Sequence, residues 1–216
     1  MTRTRHGAIW VKPPGPVAPG LRIGLLGGSF NPAHEGHMHV SQVGLDTLGL
    51  DYVWWLVSPQ NPLKPVAGMA PLDQRIAQAR AVASHPRILV SGLESELGTR
   101  FTVDTLAALK RRFPQVRFVW LMGTDNLKEF QRWRRWQEIT ALVPIAIVVR
   151  PGTTLAPLYA KVSQRLARAR HNDWRHFADA EPPALAVIDA PRNAMSATAI
   201  RERLLRTTIA GKNPRV

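Results

Sequence analysis

Cysteine is absent from the 216 residues, which excludes a disulfide framework, a thiol nucleophile and a cysteine zinc site. Long apolar runs are absent too. Nothing approaches the roughly 20 residues that a membrane-spanning helix needs, and the longest candidates are strand-sized. The chain is also short of acid, with 15 Asp and Glu against 29 Lys and Arg, a formal charge of +14. That imbalance suits a partner carrying phosphate, whether nucleic acid, an anionic membrane surface or a small metabolite, and does not choose among them. Much of the excess falls in Lys110 to Arg112, Arg132 to Arg135 and Arg165 to Arg170, which read as solvated helix faces. No zinc-finger or KH-type pattern accompanies it. A basic nucleic-acid-binding module is therefore the weaker reading, and neither nucleic acid nor a membrane is expected as a partner.

The apolar content of 45% suits one compact α/β domain. Residues 1–20 are basic but interrupted by Pro13, Pro14, Pro16 and Pro19, and they read as a flexible extension rather than a secretion signal. Residues 21–216 form the expected domain, with a cytoplasmic location. Leu21 to Leu26 is a short apolar strand stopped by Gly27 and Gly28, followed by a helix from about Gly36 to Leu48 and a buried strand, Tyr52 to Val57. Strand, glycine turn, helix, strand is the βαβ signature of a parallel sheet. Trp54 and Trp55 fall on opposite faces of their strand and read as packing residues.

Ser58 to Pro71 is a proline-rich loop at the carboxyl edge of the sheet, where open α/β folds bind ligands. Helices are expected at Leu72 to Ser84, Val103 to Phe113, Asp125 to Phe130, Trp133 to Ile139 and Tyr159 to Ala169. Strands are expected at Arg87 to Val90, Val116 to Met122, Leu142 to Val149 and Ala184 to Ile188. A last helix is expected from about Ser196 to Leu205. The sum is a doubly wound, mostly parallel α/β sheet of five or six strands, with an irregular late insertion and a C-terminal helical segment.

The most informative segment is Gly27 to Val40, GGSFNPAHEGHMHV. Paired glycines after a strand let backbone amides approach a bulky anion. His34 and His37, three apart at the expected helix start, can face one ligand beside the unpaired N–H groups of the helix N-terminus. The dinucleotide spacing G-x-G-x-x-G and the P-loop spacing are both missing. The zinc-protease spacing H-E-x-x-H is missing as well, because the second histidine comes one residue early. His39 leaves a metal reading open beside that of an ordinary helix histidine. No metal ligands are assigned.

The pattern G-G-x-F-[DN]-P-x-H-x-G-H resembles that of the nucleotidylyltransferase superfamily, and in this two-glycine form with Asn31 before Pro32 it resembles bacterial nicotinate-nucleotide adenylyltransferases. SPQNPLK (Ser58 to Lys64), FTVDTL (Phe101 to Leu106), GTDNLKEFQRWRRW (Gly123 to Trp136) and MSATAIR (Met195 to Arg201) are similar to further segments of that family. The matches run from about Leu21 to Leu205. The resemblance implies a Rossmann-like fold and transfer of AMP from ATP to nicotinate mononucleotide, with Mg²⁺ accompanying ATP and no tightly bound organic cofactor. Nicotinamide mononucleotide or another phosphorylated metabolite is the alternative acceptor, and a homo-oligomeric state stays open.

The resemblance also implies a set of site residues. His34, His37 and Arg201 are the catalytic candidates. Gly27, Gly28, Ser29, Phe30, Gly123, Asp125, Ser196 and Thr198 join them at ATP, with Gly123 and Asp125 against the ribose. Ser196 reads equally well as a helix cap, and so does Asp125. Ala197 stands where some members carry a second serine. Asn61, Lys64, Thr102 and Trp133 are the mononucleotide candidates. Trp133 would stack on the pyridine ring and the Thr102 N–H would meet the carboxylate, while Trp136 is assigned to the core. Asp104 and Thr105 complete that neighbourhood or cap the helix.

Overall fold

The computed structural model describes residues 11–60, 68–149 and 161–189. Six strands form one sheet in the order β3-β2-β1-β4-β5-β6, and every neighbouring pair is parallel. They are β1 (Arg22–Gly28), β2 (Tyr52–Val57), β3 (Ile88–Ser91), β4 (Arg117–Gly123), β5 (Ile145–Val149) and β6 (Leu185–Asp189). Among the described residues the helices are α1 (Glu35–Thr47), α2 (Leu72–Val82), α3 (Leu93–Glu96), α4 (Thr102–Arg112), α5 (Thr124–Phe130), α6 (Trp136–Leu142) and α7 (Lys161–Arg165). The order reverses between β1 and β4, so the connections after these strands diverge and leave a crevice at the carboxyl edge.

Alternation along the buried strands feeds two core layers. Ile23, Leu25, Trp54 and Trp120 pack with Val103, Leu106 and Phe130 on one face. Leu26, Trp55 and Leu121 pack with Val40, Val43 and Ala79 on the other. Trp54 and Trp55 are both fully buried and divide between the faces, as strand periodicity requires.

Several boundaries differ from the sequence reading. β1 runs on through Gly27 and Gly28, which register with Leu56 and Val57. β5 begins at Ile145 rather than Leu142, and α6 occupies Leu142 instead. Pro144 lies just before the strand, where its carbonyl accepts the Trp120 N–H at 2.9 Å and its missing N–H breaks no ladder bond. Arg135, at φ 52°, sets the start of α6 beyond Trp133. The Tyr159 to Ala169 helix reduces, in its described part, to α7 and a 3-10 turn at Ala167–Ala169. Two elements were not expected, α3 and a 3-10 turn at Phe177–Asp179.

The described part of the N-terminal extension is packed rather than flexible. Val11 is buried in the first core layer and Val17 leans on it, while the Gly20 N–H bonds to the Gln115 carbonyl at 2.9 Å. A Cβ on Gly15 would stand 2.3 Å from the Leu89 side chain. Apolar contact outweighs the local proline content here. The expected helix from Ser196 lies outside the described residues.

Candidate active site

Sharp turning after β1 is done by Phe30, at φ 47°, and not by the two glycines. Gly27 serves a different need: a Cβ there would sit 2.5 Å from the Trp120 ring, so the glycine makes room for the end of a buried indole. Phe30 is itself 1% exposed. Its ring stacks on Trp55 at 5.1 Å between centroids and meets the His37 ring at 4.5 Å. His37 in turn lies 4.0 Å from the His34 ring. A column of rings thus runs from the sheet core to the crevice.

The two histidines cap α1 reciprocally. His34 is the N-cap in extended conformation, and its Nδ1 accepts the Gly36 N–H at 3.1 Å. His37 Nδ1 accepts the His34 N–H at 3.2 Å. With Nδ1 an acceptor on both neutral rings, the hydrogen of each resides on Nε2. Each ring can then donate from Nε2 to an anion at the positive end of α1. The sequence offers a hint of this arrangement, since a three-residue spacing at a helix start is that of a capping box.

Both histidines line a cleft of about 590 Å³ at the β1/β4 switch point. Gly27, Gly28, Ser29, Phe30, Gly123, Asp125, Thr102 and Trp133 line it too. All the sequence-derived candidates among the described residues therefore meet in one place. Gly123 is the N-cap of α5, and Asp125, in the first turn of that helix, is exposed in the cleft wall. Thr102 opens α4, which lacks a side-chain cap, leaving its first N–H groups for other acceptors. Trp133 is half-buried, edge-on to Trp120 at 5.9 Å and to Phe130 at 5.1 Å. Trp136 lies outside the cleft lining and packs against the core. Asn61, Lys64, Ser196, Thr198 and Arg201 lie outside the described residues.

Some lining residues carry no signal in the sequence. Arg132 and Arg134, expected on a solvated helix face, reach the cleft with Arg100, and Arg134 sits 4.6 Å over the Phe101 ring. Glu94 looks like one acid of a surface helix, yet it is 6% exposed and also lines the cleft. Burial pushes its carboxyl up to about 7, against hydrogen bonds from Thr105 and Ser58 that favour the charged form. Thr105 is fully buried and bonds Glu94 Oε1 at 3.2 Å rather than capping α4. Asp104 pairs with Arg135 at 3.2 Å.

A cytidylyltransferase-like family model matches residues 25–203. A probable nicotinate-nucleotide adenylyltransferase of Parvibaculum lavamentivorans is 56% identical over 87% of this chain and 94% of its own length. One from Methylorubrum extorquens is 53% identical over 85% of this chain and the whole of its own. Among solved structures, the Plasmodium falciparum nicotinic acid mononucleotide adenylyltransferase complexed with NaAD superposes with a TM-score of 0.59 at 16% identity, covering 84% of this chain and 83% of that one. At that identity the likeness is one of fold. Taken with the relatives at more than half identity, the chain belongs to the cytidylyltransferase-like family and, within it, to the nicotinate-nucleotide adenylyltransferases.

Proposed function

We propose that this cleft carries out adenylyl transfer with the histidine pair at the ATP phosphates and Trp133 at the pyridine ring. The overall reaction moves AMP from ATP to nicotinate mononucleotide and yields nicotinate adenine dinucleotide and pyrophosphate. An oxygen of the mononucleotide phosphate attacks the α-phosphorus of ATP. A new P–O bond forms as the bond to the bridging oxygen breaks, and pyrophosphate leaves with that electron pair. The nucleophile is already anionic near neutral pH, so alignment and charge stabilisation are what the protein must supply.

The supporting observation is the reciprocal cap of His34 and His37. It fixes both Nε2–H groups as donors without a general base, which is what a displacement at phosphorus asks for. In this reading His37 stabilises the α-phosphate and His34 assists. Ser29, Gly27 and Gly28 shape the phosphate wall above Phe30, and Gly123 and Asp125 receive the ribose. Thr102 offers its N–H to the nicotinate carboxylate. Arg201, Ser196 and Thr198 act at the pyrophosphate end, and Asn61 and Lys64 at the acceptor phosphate.

Among the described residues no group of three or more His, Asp or Glu could hold a metal ion. Mg²⁺ would arrive with ATP as part of that substrate and would lower the negative charge of its phosphates, while the histidine pair and the α1 N-terminus act from the protein side. No helix among the described residues is long and apolar enough to cross a membrane. The site of action in this reading is the cytoplasm, with ATP and the mononucleotide as small-molecule partners.

Pyrophosphate release from ATP, measured with nicotinate and nicotinamide mononucleotides side by side, tests the reading. Faster release with nicotinate mononucleotide is expected. No release with either acceptor would overturn it.

A further inference from the structure

Arg75, in the first turns of α2, is 1% exposed, and the oxygens it donates to among the described residues are all main-chain carbonyls. Nη1 donates to Ser29 at 2.6 Å and to Ser58 at 2.8 Å, Nη2 to Pro59 at 3.0 Å, and Nε to Ala70 at 2.8 Å. Burying a cation against neutral dipoles costs far more than burying a methionine of similar length. The geometry shows what that expense achieves. Ser29 follows β1 and Ser58 follows β2, and at these strand ends the sheet ladder no longer occupies the carbonyls. Ala70 belongs to the chain returning to α2. One rigid fork therefore ties three separate backbone segments together.

Both Ser29 and Ser58 line the cleft. Asn31 adds a second tie between the same segments: its Nδ2 donates to the Gly68 carbonyl at 3.0 Å, and its Oδ1 accepts the Ala70 N–H at 3.3 Å. Ser58 continues the connection by its side-chain hydrogen bond to Glu94, which also receives Thr105 of α4. The phosphate turn, the connection after β2 and the start of α4 thus share one chain of hydrogen bonds behind the cleft.

We propose that Arg75 is a positioning residue for adenylyl transfer: its buried fork fixes the Ser29 turn to both ends of the Ser58–Ala70 connection and so sets the spacing between the two substrates. This rests on the cleft being the adenylyl-transfer site. A displacement at phosphorus needs donor and acceptor within a fraction of an ångström of alignment, and misplacement by about 1 Å costs on the order of 100-fold in rate. A fork that sets their separation therefore acts on turnover more than on the binding of either substrate alone. Lysine in its place keeps the charge but donates from one point, and cannot reach all four carbonyls at once.

The experiment compares Arg75→Lys and Arg75→Met with the wild type in steady-state kinetics with ATP and nicotinate mononucleotide, with folding checked by near-ultraviolet circular dichroism. Folded Arg75→Lys is expected to lose about 30- to 100-fold in kcat, with each KM changed less than about fivefold, and Arg75→Met to lose more. Wild-type kcat in folded Arg75→Lys would overturn the proposal. A loss confined to the KM of one substrate would do so too, because Arg75 would then support one subsite only. Failure of both variants to fold would make Arg75 a folding residue, again against the proposal. A wild type that releases no pyrophosphate with either mononucleotide refutes the parent reading instead, independently of the variants.

Discussion

His37 receives the N–H of His34 on its Nδ1 at 3.2 Å, so one ring has two jobs in the proposed function: an acceptor for the helix cap and a donor to the ATP phosphates. The two jobs can be separated. Asparagine places an acceptor oxygen near the Nδ1 position, whereas glutamine reaches the Nε2 position. His37→Asn is expected to melt close to the wild type yet lose at least about 100-fold in kcat, the scale of a lost transition-state donor. His37→Gln should lose the cap, about 1 kcal/mol, and retain more activity. Pyrophosphate release and thermal melts on the same samples check this. The reverse order of activities would show that the cap, not the donor, matters.

Gly27 faces the Trp120 ring so closely that an added Cβ would stand 2.5 Å from it. Trp120 is 1% exposed, lines the cleft and has Trp133 nearly perpendicular to it, so a shift of the indole disturbs the cleft wall. Gly27→Ala is expected to cost about 1–3 kcal/mol in denaturant melts, the usual toll of overpacking, and to reduce turnover by narrowing the site. An alanine variant as stable and as active as the wild type would show that the indole has room to move.

These two positions show how far the sequence speaks. The strand, turn and helix start of Gly27 to His37 were legible because the pattern is local, lying within eleven consecutive residues. The mostly parallel, doubly wound sheet followed from the same logic, since each βαβ unit carries its own punctuation, whereas the order β3-β2-β1-β4-β5-β6 came from the structure. Glu94, Arg75 and Arg134 were silent. Their surroundings are assembled from β1, β2 and α4, which are distant in sequence, and a charged side chain in a helix has the same periodicity whether water or protein surrounds it. Trp120 was equally silent, because strand alternation says that an indole is buried and not that it borders a cleft. The strand expected at Leu142 to Val149 overran Pro144: β5 starts at Ile145, and Pro144, outside the strand, contributes only its carbonyl.

Glu94 gives a prediction in pH. Its carboxyl is held at about 7 in the folded chain, against an ordinary value of 4.5, chiefly by burial. Between those values the folded protein keeps a proton that the unfolded chain has released, so stability falls as pH rises across this window and stays reduced above it. The reduction is about 3 kcal/mol. Glu94→Gln mimics the protonated form and keeps an acceptor for Thr105. It is expected to be more stable than the wild type at about pH 8 and close to it at about pH 4, as read from urea melts. An equal difference at both ends would mean that Glu94 ionises on folding as freely as in water.

Trp133 lies nearly perpendicular to Trp120 and is partly exposed in the cleft wall, and in the proposed function it offers a face to a flat ring. A stacking contact of this kind contributes about 1–3 kcal/mol. Trp133→Ala should therefore raise the KM for nicotinate mononucleotide about tenfold or more and leave that for ATP nearly unchanged. Trp133→Phe should fall between. Because a π-face does not distinguish a carboxylate from an amide on the pyridine ring, the variant is expected to weaken nicotinate and nicotinamide mononucleotides by the same factor, leaving their ratio as in the wild type. A change in that ratio would mean that Trp133 positions the groups that read the substituent, and the stacking assignment would then give way to one in which the indole sets the wall beside Thr102.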